Sequence, residues 1–118
     1  MIVRTHRFHG HNSLNPVYKN GKTVRSAMIS LKYANRGSRP YRVAVVVSRK
    51  VHKSAVVRNR IRRRIYEICR KQSNVDLTGK DLIFTIFSDQ LASIDHDKLE
   101  STIKGLLEKT AEHRSNVL

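Results

Sequence analysis

Between Ala55 and Lys71 the chain reads AVVRNRIRRRIYEICRK, with six arginines and one lysine against a single acid, Glu67. A guanidinium grips phosphate through two parallel hydrogen bonds and stacks on bases, so arginine at this density suits a polyanion. Asn59 adds a hydrogen-bonding amide and Tyr66 a ring able to stack. A merely solvated helix face mixes signs, because like charges at i,i+4 repel by a few tenths of a kcal/mol per pair. Arg58–Arg62 and Arg60–Arg64 are such like pairs, and they call for a compensating anion.

Other constellations carry weaker chemistry. His6, His9 and His11 have spacing compatible with metal ligation, but zinc takes four ligands on a rigid scaffold and no cysteine pair joins them. They read as imidazoles that meet RNA or solvent, His6 and His9 in a basic N-terminal arm, residues 1–10, and His11 at its end. Asp95-x-Asp97 could be a carboxylate pair; at a helix start the two cap and complement the dipole. Glu112 and His113 fall at a frayed end, with 113–118 as tail. Cys69 lies on the apolar edge of the arginine helix, where a thiol behaves as a small hydrophobe. No nucleophile, base and orienting group come together, and no glycine-rich phosphate loop is present. The catalytic and metal-site lists are therefore empty, and nothing in the chain has the makings of an RNA-cleaving centre by itself.

These residues need elements to hold them. Setting Ile61 at zero and turning about 100° per residue, Val57, Ile65 and Ile68 fall within about 40° of it and Cys69 at about 80°. That arc is a core-facing stripe, with Asn59, Arg63, Tyr66 and Arg70 opposite. Arg58 and Arg64 flank the stripe, with stems against the sheet and heads reaching past it. NSLNPVYKNG reads as a short helix stopped by Asn20-Gly21. TVRSAMISLKYAN has strand character, and YRVAVVVS, Tyr41 to Ser48, is a strand covered on both faces. DLTGK makes a turn and DLIFTIF, Asp81 to Phe87, another apolar strand. SIDHDKLESTIKGLLEKTAEHR is helical, with Leu99, Ile103, Leu106 and Leu107 on one face and Ser93 or Asp95 as cap. The order helix, strands, helix, strand, helix predicts one α+β domain over residues 1–118, a small mixed sheet covered by helices.

Charge narrows the partner. The 118 residues carry a net +15, and it is one-sided. Residues 1–72 hold 19 basic and 1 acidic residue, net +18; residues 73–118 hold 5 basic and 8 acidic, net −3. Nucleic acid is the expected partner of such a footprint. An anionic membrane surface would call for an amphipathic helix with tryptophan or phenylalanine on its apolar side, and the chain has no tryptophan. No apolar run approaches about eighteen residues. The opening MIVRTHRFHGHNS lacks a secretory hydrophobic segment, and a single cysteine forms no internal disulfide. These features together point to the cytoplasm.

VSRKVHKSAVVRNRIRRRIYE resembles the Arg-Asn-Arg signature of the protein subunit of bacterial ribonuclease P. RVAVVVSRK is similar to that family's preceding strand, and RFHGHNSLNPVYKNG to its N-terminal helix and glycine turn. The similarity spans roughly residues 4–110. It implies the fold of the second domain of a small-subunit ribosomal protein, with a left-handed strand–helix–strand crossover against the usual rule. It implies endonucleolytic removal of 5′ leaders from precursor tRNA, with the chemistry and the magnesium ions held mainly by a catalytic RNA subunit. The protein would bind that RNA and the leader, with no obligate protein partner and no membrane. By position, Arg49, Lys50, Lys53, Arg58, Asn59, Arg60, Arg62, Arg63 and Arg70 would form the RNA-binding surface. Leu14, Tyr18, Lys32 and Val46 would lie in the leader cleft. Leu14 and Tyr18 stand where the family usually has two phenylalanines; Tyr18 keeps a ring and Leu14 does not. Tyr66 replaces a common basic residue and Val46 a frequent serine. Composition and fold alone would also allow a ribosomal or architectural RNA-binding protein. A self-sufficient nuclease is the third reading, and the missing active-site set argues against it.

Overall fold

The computed structural model describes residues 17–19, 21–35, 37, 39–73 and 75–115, the last four by backbone only. The arm at residues 1–10, Leu14 and residues 116–118 lie outside them. Of the expected first helix, the described part is residues 17–19, which are helical and are followed by the Gly21 N–H donating to the Val17 carbonyl at 2.8 Å. Gly21 is fixed by close approach: a Cβ there would sit 2.4 Å from the Val17 carbonyl oxygen and 2.7 Å from that of Tyr33.

The stretch TVRSAMISLKYAN, given strand character above, is two strands. β1 (Lys22–Arg25) turns through residues 26–28 into β2 (Ile29–Asn35), where the Ser26 N–H donates to the Ile29 carbonyl at 2.9 Å. β3 (Arg42–Val46) precedes helix α1 (Ala55–Lys71), which leads to β4 (Lys80–Ile86). A short 3₁₀ turn, Asp89–Ala92, which sequence periodicity had not indicated, joins β4 to helix α2 (His96–Ser115). The sheet order is β1-β2-β4-β3, with β3 and β4 parallel and the other pairs antiparallel. This is the expected small mixed sheet, with β3–α1–β4 as its strand–helix–strand unit.

Strand alternation sorts the two faces. Leu31, Tyr33, Val43, Val45, Leu82, Phe84 and Ile86 point to one side and are buried there with Ile61, Ile65 and Ile68 of α1 and Leu99, Ile103, Leu106 and Leu107 of α2. Burying one such side chain stabilises the fold by about 1.5–3 kcal/mol. The other face has a small apolar cluster, Val17 on Ala44 and Ile83, with Ala34 and Val46 at its edge. β3 is thus covered on both sides, as its valine run implied. The remaining described residues of the strands on that face are polar, with Thr23 and Arg25 exposed and Ser30 and Asp81 buried.

Two polar pairs lock the register. Arg42 and Asp81, opposite each other across β3 and β4, form a bidentate pair at 2.9 and 2.8 Å. Lys80, 1% exposed, donates its Nζ to Thr110 Oγ1 at 3.0 Å, and that hydroxyl donates to the Leu107 carbonyl. The turn before β4 depends on Gly79, whose φ of +78° lies in the left-handed region. A Cβ there would meet the Gly37 carbonyl oxygen at 1.8 Å. Gly79→Ala should therefore destabilise the protein by about 1–3 kcal/mol, read as a lower urea midpoint with an unchanged slope. An unchanged midpoint would show that this turn can open without cost.

Candidate nucleic-acid interface

α1 is built to present arginines. Ser54 caps it: the Ser54 hydroxyl accepts from the Val57 N–H at 3.4 Å, and the Ser54 carbonyl accepts from the Arg58 N–H at 3.1 Å. His52 Nδ1 in turn accepts from the Ser54 N–H at 3.0 Å, which sets the angle of chain into the helix. No acid occupies the first turn, while Arg70 and Lys71 complement the dipole in the last. Ile61, Ile65, Ile68 and Cys69 are buried, as the periodicity predicted. Burial pushes the Cys69 thiol up to about 12, so it stays protonated and is no nucleophile.

The seven cations of the helix fall into different environments. Arg60 and Arg63 are exposed and have no partner among the described residues; three positions apart, they are neighbours on the outer surface. Arg49, Lys50 and Lys53, in the loop leading to the helix, are exposed as well. Arg62 is half-buried and held: it donates to Asn59 Oδ1 at 2.7 Å and to the Val47 carbonyl at 3.4 Å. Arg64 turns back into the fold and donates to the carbonyls of Leu91 and Ile94 at 2.7 and 2.5 Å, closing the end of the 3₁₀ turn. Arg58 is half-buried, and its shielded Nε finds no partner among the described residues. Arg70 forms two hydrogen bonds with Glu67, at 3.2 and 2.8 Å. That bond holds the Glu67 carboxyl down at about 2, so the pair offers little net charge to an anion.

Tyr66 differs from the helical-wheel expectation. It is half-buried and packs against the core rather than standing free on the outer face. A ring this large reaches apolar neighbours from beside the stripe.

A second basic surface lies on the open sheet face, away from α1. A groove of about 430 Å³ is lined by Tyr18, Thr23, Arg25, Ser30, Lys32 and Thr85. Lys32 Nζ sits 5.7 Å from the Tyr18 ring centroid, a cation–π distance. Of the four residues expected in a cleft, Tyr18 and Lys32 line it. Val46 adjoins it, paired in register with Thr85 and packed on the small cluster. Thr23, Arg25, Ser30 and Thr85 were missed. Their signal was present, since each alternates with a core residue: Thr23-Val24-Arg25, Ser30-Leu31-Lys32, and Thr85 alone amid DLIFTIF.

Comparison with known proteins gives this arrangement its relatives. The family described as Ribonuclease P matches residues 2–111. The ribonuclease P protein component of Caldanaerobacter subterraneus is 37% identical over 94 residues, covering 80% of this chain and 79% of that protein. That of Roseiflexus castenholzii is 31% identical over 108 residues, covering 92% and 88%.

The chain belongs to the ribonuclease P protein family.

Solved ribonuclease P proteins share the fold. That of Thermotoga maritima superimposes with a TM-score of 0.78 at 23% identity, covering 87% of this chain and 96% of that one. That of Staphylococcus aureus gives 0.77 at 21% identity, covering 91% and 96%. As a ribonuclease P protein component, the chain is a subunit of an endoribonuclease, has its role in tRNA 5′ processing, and is a partner of the ribonuclease P RNA. Among the described residues, no helix is long and apolar enough to cross a membrane, and no three His, Cys, Asp or Glu side chains gather where they could hold a metal ion.

Proposed function

We propose that the two basic surfaces divide the work of ribonuclease P between two RNAs. Arg60 and Arg63, with Arg49, Lys50 and Lys53, dock the catalytic RNA subunit by phosphate contacts. Arg62 and Asn59 brace each other beside them, Arg58 adjoins them on the helix flank, and Arg70 contributes least because Glu67 engages it. The groove on the opposite sheet face takes the single-stranded 5′ leader of precursor tRNA, with Tyr18 as stacking ring and Lys32 as backbone contact. The observation that carries this reading is the separation itself: the sheet stands between α1 and the groove, so both surfaces can be occupied at once. The magnesium that such a reaction uses is assigned mainly to the RNA subunit. Cytoplasmic action fits the single buried cysteine, which sits in no disulfide.

The test is reconstitution. Added to a bacterial ribonuclease P RNA at physiological magnesium, the protein should accelerate leader removal from precursor tRNA, and the protein alone should cleave nothing. Absence of acceleration together with tight binding to ribosomal RNA would reassign the surfaces to a structural role. Within the reconstituted enzyme, Tyr18→Ala should weaken precursor tRNA binding by roughly fivefold or more and leave mature tRNA unaffected, since loss of one stacked base costs about 1–3 kcal/mol. Equal losses for both tRNAs would remove Tyr18 from the leader site.

A further inference from the structure

Among the described residues three large apolar side chains are exposed: Tyr18 at 41%, Val56 at 65% and Phe87 at 49%. Two of the three are aromatic: Tyr18 lines the groove on the polar sheet face, and Phe87 stands beside it, against the groove residue Arg25. Phe87 follows Thr85 by two positions, just past the end of β4. Arg25, a groove residue, places its Cζ 5.5 Å from the Phe87 ring centroid. The groove therefore carries a ring under a cation at each end: Tyr18 with Lys32, and Phe87 with Arg25.

The register gives the backbone spacing beneath them. The Phe87 N–H donates to the Met28 carbonyl at 2.9 Å, so Phe87 lies opposite Met28, whereas the Tyr18 ring is met by the Nζ of Lys32, four residues further along the chain from Met28. Four residues of extended chain span roughly 13 Å. Stacked nucleotides rise about 3.4 Å each, so the strand positions that carry the two cation–ring pairs are roughly four nucleotides apart, fewer if the bound strand is stretched. Ser30, Thr23 and Thr85 floor the interval with hydroxyls.

We infer that Phe87 and Arg25 form a second stacking and phosphate platform at the far end of the groove, which binds a nucleotide of a single strand whose other contact is Tyr18. This rests on the leader reading above and deepens it: the site takes a segment several nucleotides long, held at both ends. A ring stacks on any base, so the platform senses leader length more than leader sequence. The cation over the ring adds attraction to the phosphate beside the stacked base.

The experiment uses the reconstituted ribonuclease P and precursor tRNAs with leaders of about two and about eight nucleotides, with mature tRNA as reference. Phe87→Ala should lower affinity for the long leader roughly tenfold, the equivalent of about 1.4 kcal/mol, and leave the short leader and mature tRNA unchanged. Phe87→Tyr should keep the long-leader affinity. Arg25→Ala should show the same length dependence and a shallower salt dependence. Phe87→Ala binding the long leader like the unaltered protein, or losing equally on all three RNAs, would overturn the platform. Tyr18→Ala, run beside it, keeps the two ideas apart. If Tyr18→Ala still separates precursor from mature tRNA while Phe87→Ala does not, only the platform falls. If neither variant separates them, the leader groove falls and the platform with it.

Discussion

Arg60→Ala and Arg63→Ala will each weaken assembly with the ribonuclease P RNA by roughly tenfold, and together by roughly a hundredfold, without lowering the melting temperature. Both side chains are exposed and unpartnered among the described residues, so removing them costs the fold nothing. Each guanidinium can make charge-assisted bonds to phosphate worth about 1.5–3 kcal/mol. Much of that affinity comes from released counterions, so the deficit should shrink as salt rises, and each substitution should lower the slope of log affinity against log salt by about one. The measurement is a binding titration at several salt concentrations. Affinities equal to those of the unaltered protein at low salt would take the outer face of α1 away from the RNA.

Arg64→Ala, one residue further, should do the reverse. Arg64 is spent inside the protein, where its two terminal nitrogens satisfy the carbonyls of Leu91 and Ile94 at the end of the 3₁₀ turn. Its loss leaves both acceptors short of a donor and frees the segment that carries buried Leu91 against α1. The expected cost is about 2–4 kcal/mol, a fall in melting temperature of roughly 10 °C for a chain of this size. Arg64→Lys should recover only part of it, because one ammonium cannot fork to two carbonyls as a guanidinium does. RNA assembly, measured well below the melting temperature, should change less than threefold. A variant with full stability and poor RNA binding would place Arg64 among the phosphate contacts instead. The adjacent Arg63 and Arg64 are thus distinguished by which assay they fail.

That contrast marks the limit of reading along the chain. The helical stripe of Ile61, Ile65 and Ile68, the valine strand, the apolar Asp81–Phe87 segment and the leucine face of α2 were legible because burial imposes periods of 3.6 and 2 on apolar residues. The 3₁₀ turn was not, because DQLA is too short for a period and its turn is completed by a side chain 27 residues away. Tyr66 was misjudged for a related reason. A helical wheel gives direction from the axis and not the reach of a ring, and only its packed neighbours show it half-buried.

By itself the sequence determined the surplus of cations, the two-faced helix that carries them, the order of elements and, through the Arg58-Asn59-Arg60 block, the family resemblance. These are local or additive properties of residues near one another in the chain. The tertiary structure decided which arginines are spent inside the fold: Arg62 is tied to Val47 and Arg64 to Leu91 and Ile94, while Arg60 and Arg63 face outward with no partner among the described residues; Arg70 is engaged locally, by Glu67 three positions before it on the same helix. The tertiary structure alone assembled the groove, since Tyr18, Arg25, Lys32, Thr85 and Phe87 come from four separate segments joined only by strand pairing and the close contacts it permits. Chain composition sets how much positive charge there is; long-range hydrogen bonds and packing set where it can meet a phosphate.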